Sequence, residues 1–204
     1  MKRAIPEEKV SPDTVKERTG GRSAKVREAV LDAARQILME KGVNALTHRN
    51  VALIAGVNPS TVYRRWPDRG KLVACVFRSA AENMVTIPDS GSLQLDLYEF
   101  LKEITIMLSS SQGRKLILGT ISAISSGDDT VESAIRDVWE QRFQQAEIMF
   151  ERAVVRGEAD YKGQRRAVLE MLIAPVWFRI LITHEPVDNE YLTININRTL
   201  KQMT

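Results

Sequence analysis

The stretch "AGVNPSTVYRRWPD", residues 55–68, decides how this chain folds. Gly56 permits the positive φ that a sharp turn requires. Pro59 and Ser60 open a helix, because the amide hydrogen that proline lacks would have no partner in a first turn. Pro67 ends that helix, since proline cannot continue the backbone ladder. Upstream, Thr47 caps "HRNVALIA", which Gly56 stops. Downstream, Asp68 caps a further helix from Arg69 through "KLVACVFRSAAENMV" to a break at Pro88. The two short helices and the Gly56-Val57-Asn58 connection form a helix-turn-helix pattern. Val51, Ala52, Ile54, Val57 and Val62 are expected to supply its wedge of core, with Trp66 as an apolar plug.

Working outward, the polar face of the short helix carries the chemistry. Ser60, Thr61, Arg64 and Arg65 cluster near its start. A helix entering a major groove N-terminus first offers hydroxyls to base edges and arginines to guanine or phosphate. Tyr63 can lay its ring on a sugar and its hydroxyl on a phosphate. Charge is distributed to match. Residues 22–78 carry eleven Lys/Arg against four Asp/Glu, whereas residues 79–204 carry thirteen against eighteen. A basic segment beginning at Arg22, joined to an acidic remainder, suggests a polyanion-binding module attached to something else.

The remainder reads as helix throughout. "AKVREAVLDAARQILMEKG", with Ser23 as its expected cap, precedes the motif and repeats apolar residues at helical spacing. After Pro88 come "LQLDLYEFLKEITIMLSS", "RKLILGTISAIS", "TVESAIRDVWEQRFQQAEIMFERAVVRG", "QRRAVLEMLIAPVWFRILITH" and "DNEYLTININRTLKQM". No hairpin signature or internal repeat interrupts them. The expected fold is all-α with about nine helices: three forming the helix-turn-helix domain, the rest a helical bundle. Residues 1–21, rich in proline and charge, read as a flexible arm.

From Leu46 to Phe77 the chain runs "LTHRNVALIAGVNPSTVYRRWPDRGKLVACVF". This resembles "TAxxVAxxAGVSxxTVYRxFPSKxxLV", a run seen in the TetR family of transcriptional regulators. The resemblance implies phosphate contacts for Thr47, Tyr63 and Arg65, and a base or sugar contact for Thr61. Arg49 and Ser60 become candidates for bases, and Arg69 falls where a lysine usually meets the DNA backbone. Asn58 replaces the usual serine and still caps a helix. Arg65 replaces a frequent histidine, making that contact permanently charged. Gly70 stands where an acidic residue is common, which predicts a less rigid, less well capped start to the fourth helix.

The resemblance further implies a bundle that binds a ligand and dimerises. The expected division is an arm over 1–21, DNA-binding domain over 22–68, connecting helix over 69–87, and ligand-binding and dimerisation domain over 88–204. "MLIAPVWFRILI" is apolar on nearly all sides, independent grounds for a homodimer through the last two helices. Leu172, Val176, Leu192, Ile196 and Leu200 are the candidate dimer residues. Pro175 should kink the first of these helices. Candidate cavity linings are Phe77, Met84, Tyr98, Leu101, Met107, Ile121, Trp139, Phe143, Met149, Phe150 and Trp177, each of which also reads as plain core.

Other classes fit less well. The two histidines, His48 and His184, have no metal-ligand spacing, and no glycine-rich phosphate loop follows a strand. Cys75, the single cysteine, excludes an internal disulfide and reads as a small hydrophobe on a buried helix face. Asp128 and Asp129 read as a helix cap rather than a catalytic pair. The chain is therefore expected to be no enzyme, to need no cofactor or metal, and to avoid membranes. No apolar run approaches the roughly 18 residues of a membrane helix, and a cytoplasmic location follows. The reading is a homodimeric repressor on a palindromic double-stranded operator, released by a small apolar or aromatic effector. Two rivals stay open: a helical ligand-binding or scaffold protein without DNA binding, and a constitutive DNA-binding regulator with no effector.

Overall fold

The computed structural model describes residues 19–158 and 165–201. The expected arm falls almost wholly outside them. Nine α-helices are described, and no strand: α1 (Thr19–Lys41), α2 (His48–Ala55), α3 (Pro59–Arg65), α4 (Arg69–Met84), α5 (Leu93–Ser109), α6 (Ser111–Ile124), α7 (Asp129–Val155), α8 (Arg165–Phe178) and α9 (Asn189–Lys201). A 3-10 turn, Val43–Ala45, leads into α2, and a π-helical turn, Arg179–Thr183, extends α8. None of the described helices is long and apolar enough to cross a membrane.

Apolar side chains at helical spacing close two cores. The first joins Val30, Ala34 and Ile37 of α1 to Val51, Val62, Leu72 and Val76, and also takes Leu116 and Ala123 of α6 and Val131, Ile135 and Val138 of α7. The second gathers Leu97, Leu101, Ile104 and Leu108 of α5 against Ile117, Met149, Phe150, Leu169, Leu172, Val176, Leu192 and Ile196. Each such side chain, fully buried, contributes about 1.5–3 kcal/mol of transfer free energy. The packing therefore divides within α6 and α7, which serve both cores.

Three details differ from the expectation. Ser23 does not cap α1 but lies inside it, because the helix continues back through the glycine pair to Thr19. Glycine costs a helix about 1 kcal/mol without forbidding it. Ile54 is 44% exposed rather than part of the wedge, since the first core receives the Val51–Ala52–Ala55 face of α2. Cys75 is half-buried, with Arg27 Nη2 3.7 Å from its sulfur.

The largest correction concerns α8 and α9. Leu172, Val176, Leu192 and Ile196 are at most 2% exposed within one chain, and Leu200 packs against the same core. The first four have no surface to offer a second subunit, because α5 already covers them, whereas Leu200 is half-buried. An apolar stripe records that something covers it, not what. The apolar residues left outside on this side are Met171, Phe178, Ile182 and Ile194. α8 runs through Pro175, and Asn195 Nδ2 of α9 donates to the Leu172 carbonyl, 2.8 Å away, one turn before it.

Candidate functional site

Local hydrogen bonds set the helix-turn-helix. Thr47 Oγ1 accepts from the Asn50 amide, 3.2 Å away, at the start of α2. Gly56 ends that helix in the left-handed region, φ 65°. Asn58 Oδ1 then accepts from both the amide and the hydroxyl of Ser60, at 2.9 and 2.8 Å, and caps α3. Trp66, 6% exposed, closes the end of α3 against the first core.

His48 ties the two helices together. Its Nε2 donates to the Trp66 carbonyl at 2.7 Å, and its ring stacks on Tyr63 with centroids 4.2 Å apart and planes 9° from parallel. This buried histidine holds the tyrosine ring in place, a positioning role the sequence reading missed. The available signal was its place in the first turn of α2, facing the end of α3.

Thr47, Arg49, Ser60, Tyr63, Arg64 and Arg65 are exposed, and Thr61 is half-buried. They come together on the outer side of α2 and α3. Arg65 reaches back to α1, where its Nη1 lies 3.2 Å from Ser23 Oγ, with its guanidinium 5.8 Å from the Trp66 ring centre. The Arg22 side chain lies outside the described residues.

Arg69 points elsewhere. Its Nε donates to the Leu46 carbonyl at 3.1 Å, its Nη2 to the Val43 carbonyl, and its Nη1 to Asp128 Oδ2 at 2.9 Å. The planar fork spans three acceptors, a geometry that a lysine ammonium does not offer. Asp128 also caps α7 through the Thr130 and Val131 amides. The Thr130 hydroxyl, the two amides and the nearby Arg69 hold its carboxyl below the usual carboxylate range, against the opposing effect of burial.

Gly70 completes this joint. A Cβ there would stand 2.2 Å from the Thr130 carbonyl oxygen, so only glycine allows α4 to approach α7. The start of α4 is also properly capped, with Asp68 Oδ1 accepting from the Lys71 amide at 2.7 Å. The expectation of a loose helix start is thereby corrected.

Where the two cores meet, an apolar cavity of about 390 Å³ remains. Phe77, Met107, Trp139, Phe143 and Trp177 line it, together with Val85, Phe100, Ile104, Ile117 and Ile173, which the sequence reading had not singled out. Trp139 and Trp177 meet edge to face, centroids 5.5 Å apart. Arg166 lies over the Phe143 ring, its Cζ 3.6 Å from the centre, and pairs with Glu140 at 2.8 Å and Glu170 at 2.7 Å. The other candidates fall elsewhere. Leu101, Met149 and Phe150 are fully buried core, and Ile121 is exposed. Tyr98 borders a separate pocket with Leu95, Thr193 and Ile196. The Met84 side chain lies outside the described residues. Among the described residues no group of three His, Cys, Asp or Glu side chains could hold a metal ion.

Comparison with known proteins agrees with this geometry. Residues 30–76 match the family model described as bacterial regulatory proteins, tetR family. Residues 87–196 match the model described as tetracyclin repressor-like, C-terminal domain. The HTH-type transcriptional regulator AqdR of Rhodococcus erythropolis is 34% identical, over 87% of this chain and 84% of its own. The uncharacterized HTH-type transcriptional regulator YdeS of Bacillus subtilis (strain 168) is 27% identical, over 81% and 83%. Among solved structures, the TetR family transcription regulator SCO0332 superposes with a TM-score of 0.69 and 27% identity, over 88% of this chain and 99% of that one. A helix-turn-helix domain joined to a C-terminal helical domain is what these matches describe: the chain belongs to the TetR family, whose members are DNA-binding transcriptional regulators and not enzymes.

Proposed function

We propose that the chain is a homodimeric repressor, released from a palindromic operator by a small apolar or aromatic effector. The observation that carries this reading is the cavity, because its wall includes Phe77 of α4, the helix that begins at the Arg69–Asp128 joint. Its volume suits a small organic ligand. A ligand that displaces Phe77 shifts α4 and with it the spacing of the two α3 helices. Half-sites are read only when that spacing matches successive turns of DNA, about 34–36 Å or multiples of it. A constitutive regulator would have no use for such a space. Dimerisation is supported by Phe178 and Ile182, 57% and 65% exposed beside α9, which a second subunit would cover.

The exposed side chains around α3 support the DNA contacts, with Arg64 and Arg65 on phosphate or guanine and Ser60 and Thr61 near base edges. Arg49 and Thr47 flank them from α2. Arg69 acts through the joint rather than on the duplex. Duplexes selected from a random pool provide the operator. Log affinity should then fall with log salt at a slope of about −0.9 per phosphate neutralised. Arg64→Ala or Arg65→Ala should flatten that slope, whereas Arg69→Ala should leave it unchanged. A compound library is then screened for release, and each hit titrated with and without operator. An effector must bind the DNA-free dimer more tightly, by the factor with which it lowers DNA affinity. Binding that is indifferent to salt and to both arginines overturns the DNA reading. Equal ligand affinity in the two titrations overturns release.

A further inference from the structure

The cavity presents one polar request. Trp177 lines it, and the indole Nε1–H of that ring is buried with no acceptor among the described residues. A buried donor without a partner costs free energy that an acceptor would recover. The charged side chains of the wall are already engaged. Arg142 donates to the Val85 carbonyl at 2.9 Å and to Gln145 Oε1 at 3.0 Å. Arg166 is held by Glu140 and Glu170, so the two arginines beside the cavity are balanced by two carboxylates. An anion would meet those carboxylates, and a cation would find both already shared with Arg166. Either ion would lose its water inside a chamber walled by aromatic and aliphatic groups. Trp139, Phe143 and Trp177 offer ring faces and edges for a flat body.

From the orphaned Trp177 N–H and the engaged charges around it, we propose that the cavity takes a neutral, planar aromatic molecule carrying a hydrogen-bond acceptor, which accepts from Trp177 Nε1. This rests on the effector reading given above and names the chemistry of its ligand.

The test uses three probes with one ring system and the full-length protein without DNA. They are 2-acetonaphthone, 2-ethylnaphthalene, which lacks the oxygen, and 2-naphthoate, which is charged. Wild type should bind 2-acetonaphthone about tenfold more tightly than either of the others by equilibrium dialysis, the worth of one rescued buried donor. Trp177→Phe keeps a ring and removes the donor, and should reduce the preference over 2-ethylnaphthalene to less than about threefold. Trp139→Phe should retain it. Should Trp177→Phe fold poorly, the indole N–H resonance of Trp177 in wild type decides: a downfield shift with 2-acetonaphthone and none with 2-ethylnaphthalene is expected. Equal binding of the two neutral probes, tighter binding of 2-naphthoate, an unmoved resonance, or no binding at all overturns the proposal. Operator release is scored separately, in parallel samples that contain the operator. Carbonyl-dependent binding without release overturns only the repressor reading. Release by a compound indifferent to Trp177→Phe overturns only this one.

Discussion

The first core closes around small side chains, the second around large ones. Val43, Val51, Val62, Val73 and Val76 are at most 1% exposed and let α1–α4 approach closely. In the second core the fully buried residues include Leu97, Leu101, Leu108, Met149 and Phe150. Between the two stand Phe77, Trp139, Phe143 and Trp177, which do not fill the space they border. Small β-branched residues pack short helices into one rigid arrangement, as a surface that reads DNA must have. Bulky rings at the seam leave room for a guest. The difference in side-chain size separates a closely packed helix-turn-helix from a seam where the proposed effector would fit.

Four experiments break or sharpen this contrast, the largest effect first. Leu172→Ala should cost about 2–5 kcal/mol, because it opens a void in the second core. Val155→Ala, at the end of α7 where the residue is 88% exposed, should stay within about 0.5 kcal/mol. Urea unfolding at one fixed protein concentration separates them, and similar losses would show that Val155 is covered as well. Next, Gly70→Ala should destabilise by about 1–3 kcal/mol, since backbone stands where the methyl must go. Gly119→Ala should instead stabilise by about 0.5–1 kcal/mol, through helix propensity alone. The nearest atoms to a Cβ at Gly119 are 3.7 Å away, an ordinary contact. Thermal unfolding of the two variants should move in opposite directions.

Asn58→Ala should lower stability by about 1 kcal/mol, the worth of one helix cap, and reduce operator affinity with it. Differential scanning calorimetry reads the first effect. The smallest change is acid sensitivity at the α4–α7 joint. The Asp128 carboxyl lies below its usual range in the folded chain, so its contribution is present at pH values above the ordinary value of about 3.9. It is lost as pH falls from there through the folded value. Asp128→Asn should be less stable at neutral pH and shallower in its loss of stability on acidification. Parallel pH profiles for the two proteins would show that Thr130, the two amides and Arg69 together do not favour the Asp128 carboxylate in solution.

What could be read in advance follows from how far apart the interacting residues lie. Thr47, Gly56, Asn58, Pro59, Pro67 and Asp68 act on backbone within a turn of themselves, and the limits of α2 and α3 were legible from them. Arg69 was not, because its partners lie 23, 26 and 59 residues away. The motif placed it beside DNA, and only the folded chain turns it toward Asp128. Gly70 looked like a weak helix start for the same reason, since Thr130 is invisible from its neighbourhood. Leu172, Val176, Leu192 and Ile196 were recognised as covered, but periodicity does not identify the cover. Phe77, Trp139, Phe143 and Trp177 were found by residue type, while Tyr98 and Ile121 satisfied the same criterion and lie elsewhere.

α7 is a rod, and its length gives the joint a mechanical meaning. Its 27 residues span about 40 Å, with Asp129 at one end and Phe143 near the middle, about 21 Å along the axis. A pivot at Phe143 multiplies small angles over that distance. A tilt of about 3° carries the Asp128 end sideways by about 1 Å, a third of the 2.9 Å that separates Asp128 from Arg69. In the release proposed above, a guest that tilts this lever would draw its far end against the arginine, and the stiffness of one helix would set the gain.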